Sequence, residues 1–321
     1  MATPTGIATA ARQAASGFAL RALPRRKTYT TSWDINQINT DKPSCYTSAS
    51  QMRDVYFDGP LSVNQFFIQS SYGHFKWTGD VMLCSLDYPS TERDGTEDCK
   101  NMARTLGYEP DNYQTLAFVS NGQGGAVSFG GIAKADQCEL SWITHELGHQ
   151  VGLQHATADW DNDGVRDGEY EDHADVMGWG YWTPNAPQRV KMGWLSSTVI
   201  SANGTYVLTP VEASNGIRAY RFDSSSGDPY FFGYYQPIGF DAADVEPDGT
   251  AKPEGAIGST SYSNGYTTGI DVYRLNLEGS NTRIIHQMTD GESYTILDTS
   301  VTIRQISHDS NGVIFAVTGI N

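Results

Sequence analysis

The chain has 321 residues, 39% hydrophobic and 18% charged, with a formal net charge of -16. A single core rarely grows past ~250 residues, so a large domain with a smaller companion is expected. The acidic balance excludes a nucleic-acid or anionic-membrane partner, which would need clustered Lys and Arg, and no run approaches the ~18 apolar residues of a membrane span.

Residues 1–27 contain four arginines and no acid, with a short, weakly apolar stretch from Ala14 to Leu20. They read as the remnant of a signal, transit or propeptide segment and are kept out of the fold. From Thr28 onward, strands are expected over Val63–Ser70 and Val81–Leu86. Asp98–Leu106 has helical spacing and a stop at Gly107, and Leu116–Val119 is a short buried strand. The glycine-rich run 122–131 lacks the Lys-Ser/Thr of a phosphate loop. Within it begins an expected strand, Ala126–Ala133, placed beside a cleft where extended substrate could pair with it. Cys138–Leu153 reads as a helix with an apolar face of Leu140, Ile143, Leu147 and Val151. After Trp194, eight short apolar runs separated by turn residues predict an antiparallel β-sandwich.

Cys45, Cys84, Cys99 and Cys138 contain no CxxC pair, which argues against a zinc ribbon or a redox motif. An even, scattered set suits two disulfides and an extracellular setting. Three pairings are open; Cys84 with Cys99, closing a short polar loop, is favoured, leaving Cys45 with Cys138. A zinc-capping role for Cys45 is the alternative.

The chemistry concentrates in His145-Glu146-Leu147-Gly148-His149-Gln150-Val151-Gly152-Leu153-Gln154-His155. Two histidines four apart lie on one helix face and can share a metal. A third ligand six residues later reaches that metal only if the helix stops, and Gly152 permits the turn. His145, His149 and His155 are therefore the expected Zn2+ ligands. Glu146, beside the open fourth position, is the expected general base and acid. The other histidines, His74, His173, His286 and His308, have no partner at ligand spacing and are expected to be surface or hydrogen-bonded residues.

Asp159, Asp161, Asp163 and Asp167 place oxygen donors at alternate positions around Gly164, a candidate Ca2+ loop. Position twelve is Tyr170 and not Glu, so the EF-hand pattern is incomplete; a solvated acidic loop is the alternative.

The HExxHxxGxxH pattern followed by Asp175-Val176-Met177-Gly178 resembles the metzincin zinc peptidases, in which a methionine turn packs beneath the metal. Tyr170-Glu171-Asp172, Asn185-Ala186-Pro187, Met192-Gly193-Trp194, Ser71-Tyr72-Gly73 and the run Tyr234 to Asp241 resemble segments of the gametolysin (M11) family more closely still. The resemblance implies a zinc endopeptidase acting on extracellular or cell-wall proteins and glycoproteins, with Met177 as the turn methionine. Together with the strand runs it leads to an expected α+β fold, a metzincin-like zinc-peptidase domain with a mixed twisted sheet and an active-site helix over residues 28–196, followed by the antiparallel β-sandwich over 197–321; a monomer is expected. Where some metzincins place an oxyanion-stabilising tyrosine this chain has Trp179, and neither Tyr170 nor Tyr181 is assigned that role. Two rival readings are a calcium-dependent adhesion or glycan-binding protein with a structural zinc, and a zinc hydrolase of non-peptide substrates.

Overall fold

The computed structural model describes residues 27–34, 46, 48–86, 95–119, 125–135, 139–224, 227–242, 267–275, 281–297 and 299–320. Cys45, Cys138 and residues 1–26 lie outside them, as does the expected pairing of those two cysteines.

The first sheet contains β1 (Lys27–Asp34), β2 (Thr78–Ser85), β3 (Thr115–Val119), β4 (Ala126–Phe129) and β5 (Ile132–Ala135), in the order β2-β1-β3-β5-β4. Its pairings are parallel except at the edge, where β4 runs antiparallel to β5. The expected single strand Ala126–Ala133 is thus a hairpin. Gly130 and Gly131 both take positive φ, 54° and 83°, the backbone a two-residue turn between right-twisted strands requires. The mixed sheet matches expectation.

Among the described residues five α-helices accompany it: α1 (Ala49–Arg53), α2 (Val63–Ser70), α3 (Thr96–Thr105), α4 (Leu140–Val151) and α5 (Ala186–Lys191). A strand was expected where α2 lies. Its buried residues, Val63, Phe66, Phe67 and Ser70, recur at helical and not alternate spacing, and the Ser62 hydroxyl caps it by accepting from the Gln65 N–H at 3.2 Å. A disulfide joins Cys84 of β2 to Cys99 of α3, the pairing favoured from sequence. The helix α4 lies against β3, β4 and β5 and shares one apolar core with α2.

The remaining strands are β6 (Ala156–Ala158), β7 (Thr198–Val199), β8 (Gly204–Leu208), β9 (Tyr220–Phe222), β10 (Tyr230–Gly233), β11 (Asp271–Leu275), β12 (Thr282–Gln287), β13 (Ser293–Thr295), β14 (Thr302–Asp309) and β15 (Gly312–Thr318). Each of the eight runs expected after Trp194 overlaps one of them. They form two sheets, β6-β12-β11-β10-β9-β7 and β13-β14-β15-β8. One buried cluster draws Tyr230, Phe232 and Ile285 from the first and Ile303, Val313 and Phe315 from the second. Strand β15 alternates as a half-buried strand should, with Val313, Phe315 and Val317 inward and Ile314 and Thr318 outward.

The six-stranded sheet is not purely antiparallel, since β6 runs parallel to β12 and β7 parallel to β9. Its strand β6 comes from the segment just after His155. Its other face buries Phe231, Tyr273 and Ile284 against Trp182 and Ala186, so β10 is covered on both sides, as its unbroken apolar run Tyr-Phe-Phe requires. Among the described residues no helix is long and apolar enough to cross a membrane.

Candidate metal centre

The helix α4 ends where the sequence placed its stop. Gly152 adopts φ 108°, its N–H reaching the Gly148 and His149 carbonyls, and Leu153 N–H bonds to the Gly148 carbonyl at 3.0 Å. The chain then reverses and brings His155 beside His149, with 3.1 Å between their Nε2 atoms. The ligand atoms of His145, His149 and His155 all lie within 4.8 Å of one another. Nitrogens bound tetrahedrally at about 2.0–2.1 Å would sit roughly 3.3–3.4 Å apart. The three imidazoles therefore meet as predicted.

What the sequence did not disclose is how each ring is oriented. His145 Nδ1 lies 2.8 Å from the Val176 carbonyl, His149 Nδ1 3.0 Å from the Leu153 carbonyl, and His155 Nδ1 2.9 Å from Glu169 Oε1. All three partners only accept, so each Nδ1 carries the proton and each Nε2 presents a lone pair. Three imidazoles with Nδ1 engaged in this way and Nε2 turned toward one another fit a divalent ion of zinc's type.

Burial, followed by the neighbouring histidines, holds His145 down at about 4 despite its bond to the Val176 carbonyl, and burial likewise lowers His149. The neutral ligand form is thereby favoured. In the metal-free chain, His145 binds its proton in the unfolded state from pH 6.5 downward but in the folded state only near 4. Its contribution to stability is therefore present above 6.5 and lost as the pH falls toward 4, by up to about 3 kcal/mol. Urea unfolding in chelator at stepped pH should show this slope, and His145→Phe should flatten it.

Glu146 is 5% exposed, and burial raises its carboxyl to about 7. It shares with His145 a cavity of about 440 Å3, walled by Trp142, Tyr170, Val176, Trp179 and Tyr181. Tyr170 also packs its ring 4.5 Å from that of His155. The edge strand β4 meets this cavity at Ala126 and is tied to α4, the Ser128 hydroxyl donating to the Glu146 carbonyl at 2.9 Å.

Met177 is fully buried under the helix. A Cβ on Gly148 would stand 2.6 Å from its sulfur, so the glycine between the paired histidines is the seat of that side chain. The turn is held by buried carboxylates. Asp175 accepts the Met177 N–H at 2.7 Å and the Asn185 N–H at 2.8 Å, while Asp172 accepts from Asn185 Nδ2 at 3.0 Å and from the Ala174 N–H at 3.1 Å. Asn185 also caps α5 by accepting from the Gln188 N–H at 3.0 Å, with Pro187 in the first turn and Gly193 at φ 69° after the end. The sequence offered Asp172, Asp175 and Asn185 only as resembling segments; the Asn-x-Pro cap was the physical signal available.

The acidic loop gathers in part. Asp159, Asp161 and Asp163 bring oxygens within 4.8 Å of one another, and Gly164 takes φ 90°. Asp167 turns elsewhere, accepting the Trp160 N–H at 2.6 Å, and Asp159 is approached by Arg283 Nη1 at 3.3 Å. The remaining histidines are exposed or beside a carboxylate, as expected: His74 is exposed, His173 Nε2 lies 3.4 Å from Glu171 Oε2, His286 Nε2 2.6 Å from Glu292 Oε1 and His308 Nδ1 3.0 Å from Asp290 Oδ1.

Residues 113–222 match the gametolysin peptidase M11 family. The match takes in the three histidines, Glu146, Met177 and Asn185, and it supports a metallopeptidase. No curated protein sequence matches the chain.

Proposed function

We propose that this gametolysin-type metallopeptidase is a zinc-dependent endopeptidase of the metzincin type, cleaving extracellular or cell-wall proteins and glycoproteins. The observation that carries the reading is the convergence of three Nε2 lone pairs, their Nδ1 protons engaged elsewhere, beside a buried carboxylate in an aromatic-walled cavity. His145, His149 and His155 would hold the ion, which when bound supplies Lewis-acid polarisation of the scissile carbonyl and an acidified water. Glu146 takes the proton of the attacking water and returns it to the departing amine nitrogen, a task suited to a carboxyl whose burial raises its pKa toward neutrality. The outer edge of β4, the last strand of that sheet among the described residues, is the place where an extended substrate backbone would add a strand.

The rival reading, an adhesion or glycan-binding protein with a structural metal, calls for a fourth protein ligand. Among the described residues the metal-binding group comprises three histidines, which favours an open catalytic position.

The test is hydrolysis of casein or gelatin by the purified chain. Cleavage abolished by 1,10-phenanthroline and restored by added Zn2+ supports the proposal; a zinc-loaded chain that cleaves no protein overturns it. Calcium at Asp159, Asp161 and Asp163 is a separate proposal, resting on their proximity and on the loop's position between His155 and the methionine turn. EGTA is then expected to lower the thermal midpoint of the zinc-loaded protein by several degrees, with recovery on adding Ca2+; an unchanged midpoint removes calcium from the account.

A further inference from the structure

Thr282 lies on β12, 125 or more residues from the three histidines in sequence, yet it touches the supports of two of them. Its backbone pairs with Ala156, the residue after His155, and its carbonyl accepts the Thr157 hydroxyl at 3.0 Å. Its own hydroxyl accepts from Asn185 Nδ2 at 2.9 Å. That amide nitrogen also donates to Asp172, the Asn185 backbone N–H donates to Asp175, and Asp175 holds the Met177 N–H. The turn so fixed presents the Val176 carbonyl to His145 Nδ1, and the Met177 carbonyl accepts the Ala156 N–H at 2.9 Å. Thr282, Asn185, Asp172 and Asp175 are each 1% exposed or less, so no water replaces a lost partner cheaply.

We propose that Thr282 is a positioning residue of the metal centre, fixing His155 through β6 and His145 through Asn185 and the methionine turn. The C-terminal sheet thereby supplies part of the scaffold that aims the ligands. This rests on the metal-binding reading above. Partners hydrogen-bonded directly to a ligand typically change metal affinity 10- to 100-fold when lost; Thr282 stands further back, behind Asn185 and the turn, so its loss is expected near the lower end of that range.

The experiment uses the full chain and compares wild type, Thr282→Val and Thr282→Ser. Zinc dissociation constants are read by competition with a chromophoric chelator, beside urea unfolding with and without zinc. Valine keeps the shape and removes the acceptor, so zinc should bind about 10-fold more weakly. Serine keeps the hydroxyl and should stay within a few fold of wild type. Should the valine variant not fold, Thr282→Ala carries the same expectation. Equal zinc affinity in a folded valine or alanine variant, or an equal loss in serine and valine, overturns the proposal. Wild-type protein that fails to bind zinc overturns the metal reading itself and this inference with it.

Discussion

Replacing Glu146 with glutamine is expected to lower kcat on a protein substrate by about 10²–10⁴-fold, the usual worth of a positioned acid–base group, while bound zinc stays unchanged. The substitution preserves the size and burial of the side chain and removes its ability to accept a proton. Because Glu146 is no ligand in the proposed arrangement, the imidazole set that would hold the ion is left intact. KM should move little, since the loss falls on proton transfer and not on substrate binding. Steady-state rates on a fluorogenic peptide, with zinc measured on the same samples, check this. A variant that keeps both zinc and kcat would show that the proton goes elsewhere.

Gly178→Ala is expected to be the most damaging small substitution in the methionine turn. A Cβ there would lie 2.2 Å from the Asp172 carbonyl oxygen and 3.0 Å from that of Ala156, both backbone atoms. Neither can swing aside. Ala156 follows His155, Asp172 is anchored to Asn185, and Gly178 N–H is itself bonded to the Asp175 carbonyl at 2.8 Å. The turn must open, at about 3 kcal/mol, the upper range for forced overpacking. Gly148→Ala is the informative contrast: its nearest clash is the sulfur end of Met177, a flexible side chain that can shift by rotamer. Urea unfolding of the two zinc-free variants should rank Gly178→Ala well below Gly148→Ala in stability. Comparable losses would mean that Met177 is as immovable as the backbone.

Much of the centre was legible because its rules are local. The spacing of His145 and His149 is a property of one helical turn, and Gly152 as the stop follows from its tolerance of positive φ; both appear in the structure as read. The eight C-terminal runs were legible because strands separated by polar turns need only alternation and punctuation to be recognised. Where local evidence was ambiguous, it misled. Val63–Ser70 carries β-prone Val, Phe and Ile, but its buried positions follow a period near 3.6, and the capping serine lies just outside the window that suggested a strand. The run Ala126–Ala133 was read as one strand although a Gly130-Gly131 pair, a two-residue turn signal, stands in the middle of it.

The sequence alone brought out the three histidines, the glutamate beside them, the helix stop and the methionine of the following turn, because each depends on residue type and spacing within a few turns of chain. Tertiary structure alone decided which acceptor orients each imidazole, that Asp167 leaves the acidic cluster, and that β6 joins a sheet built mostly from the C-terminal third. Those outcomes depend on pairings between residues as far apart as Ala156 and Thr282. No local propensity encodes such a pairing; it is chosen by which faces can be buried together and which buried donors must find acceptors.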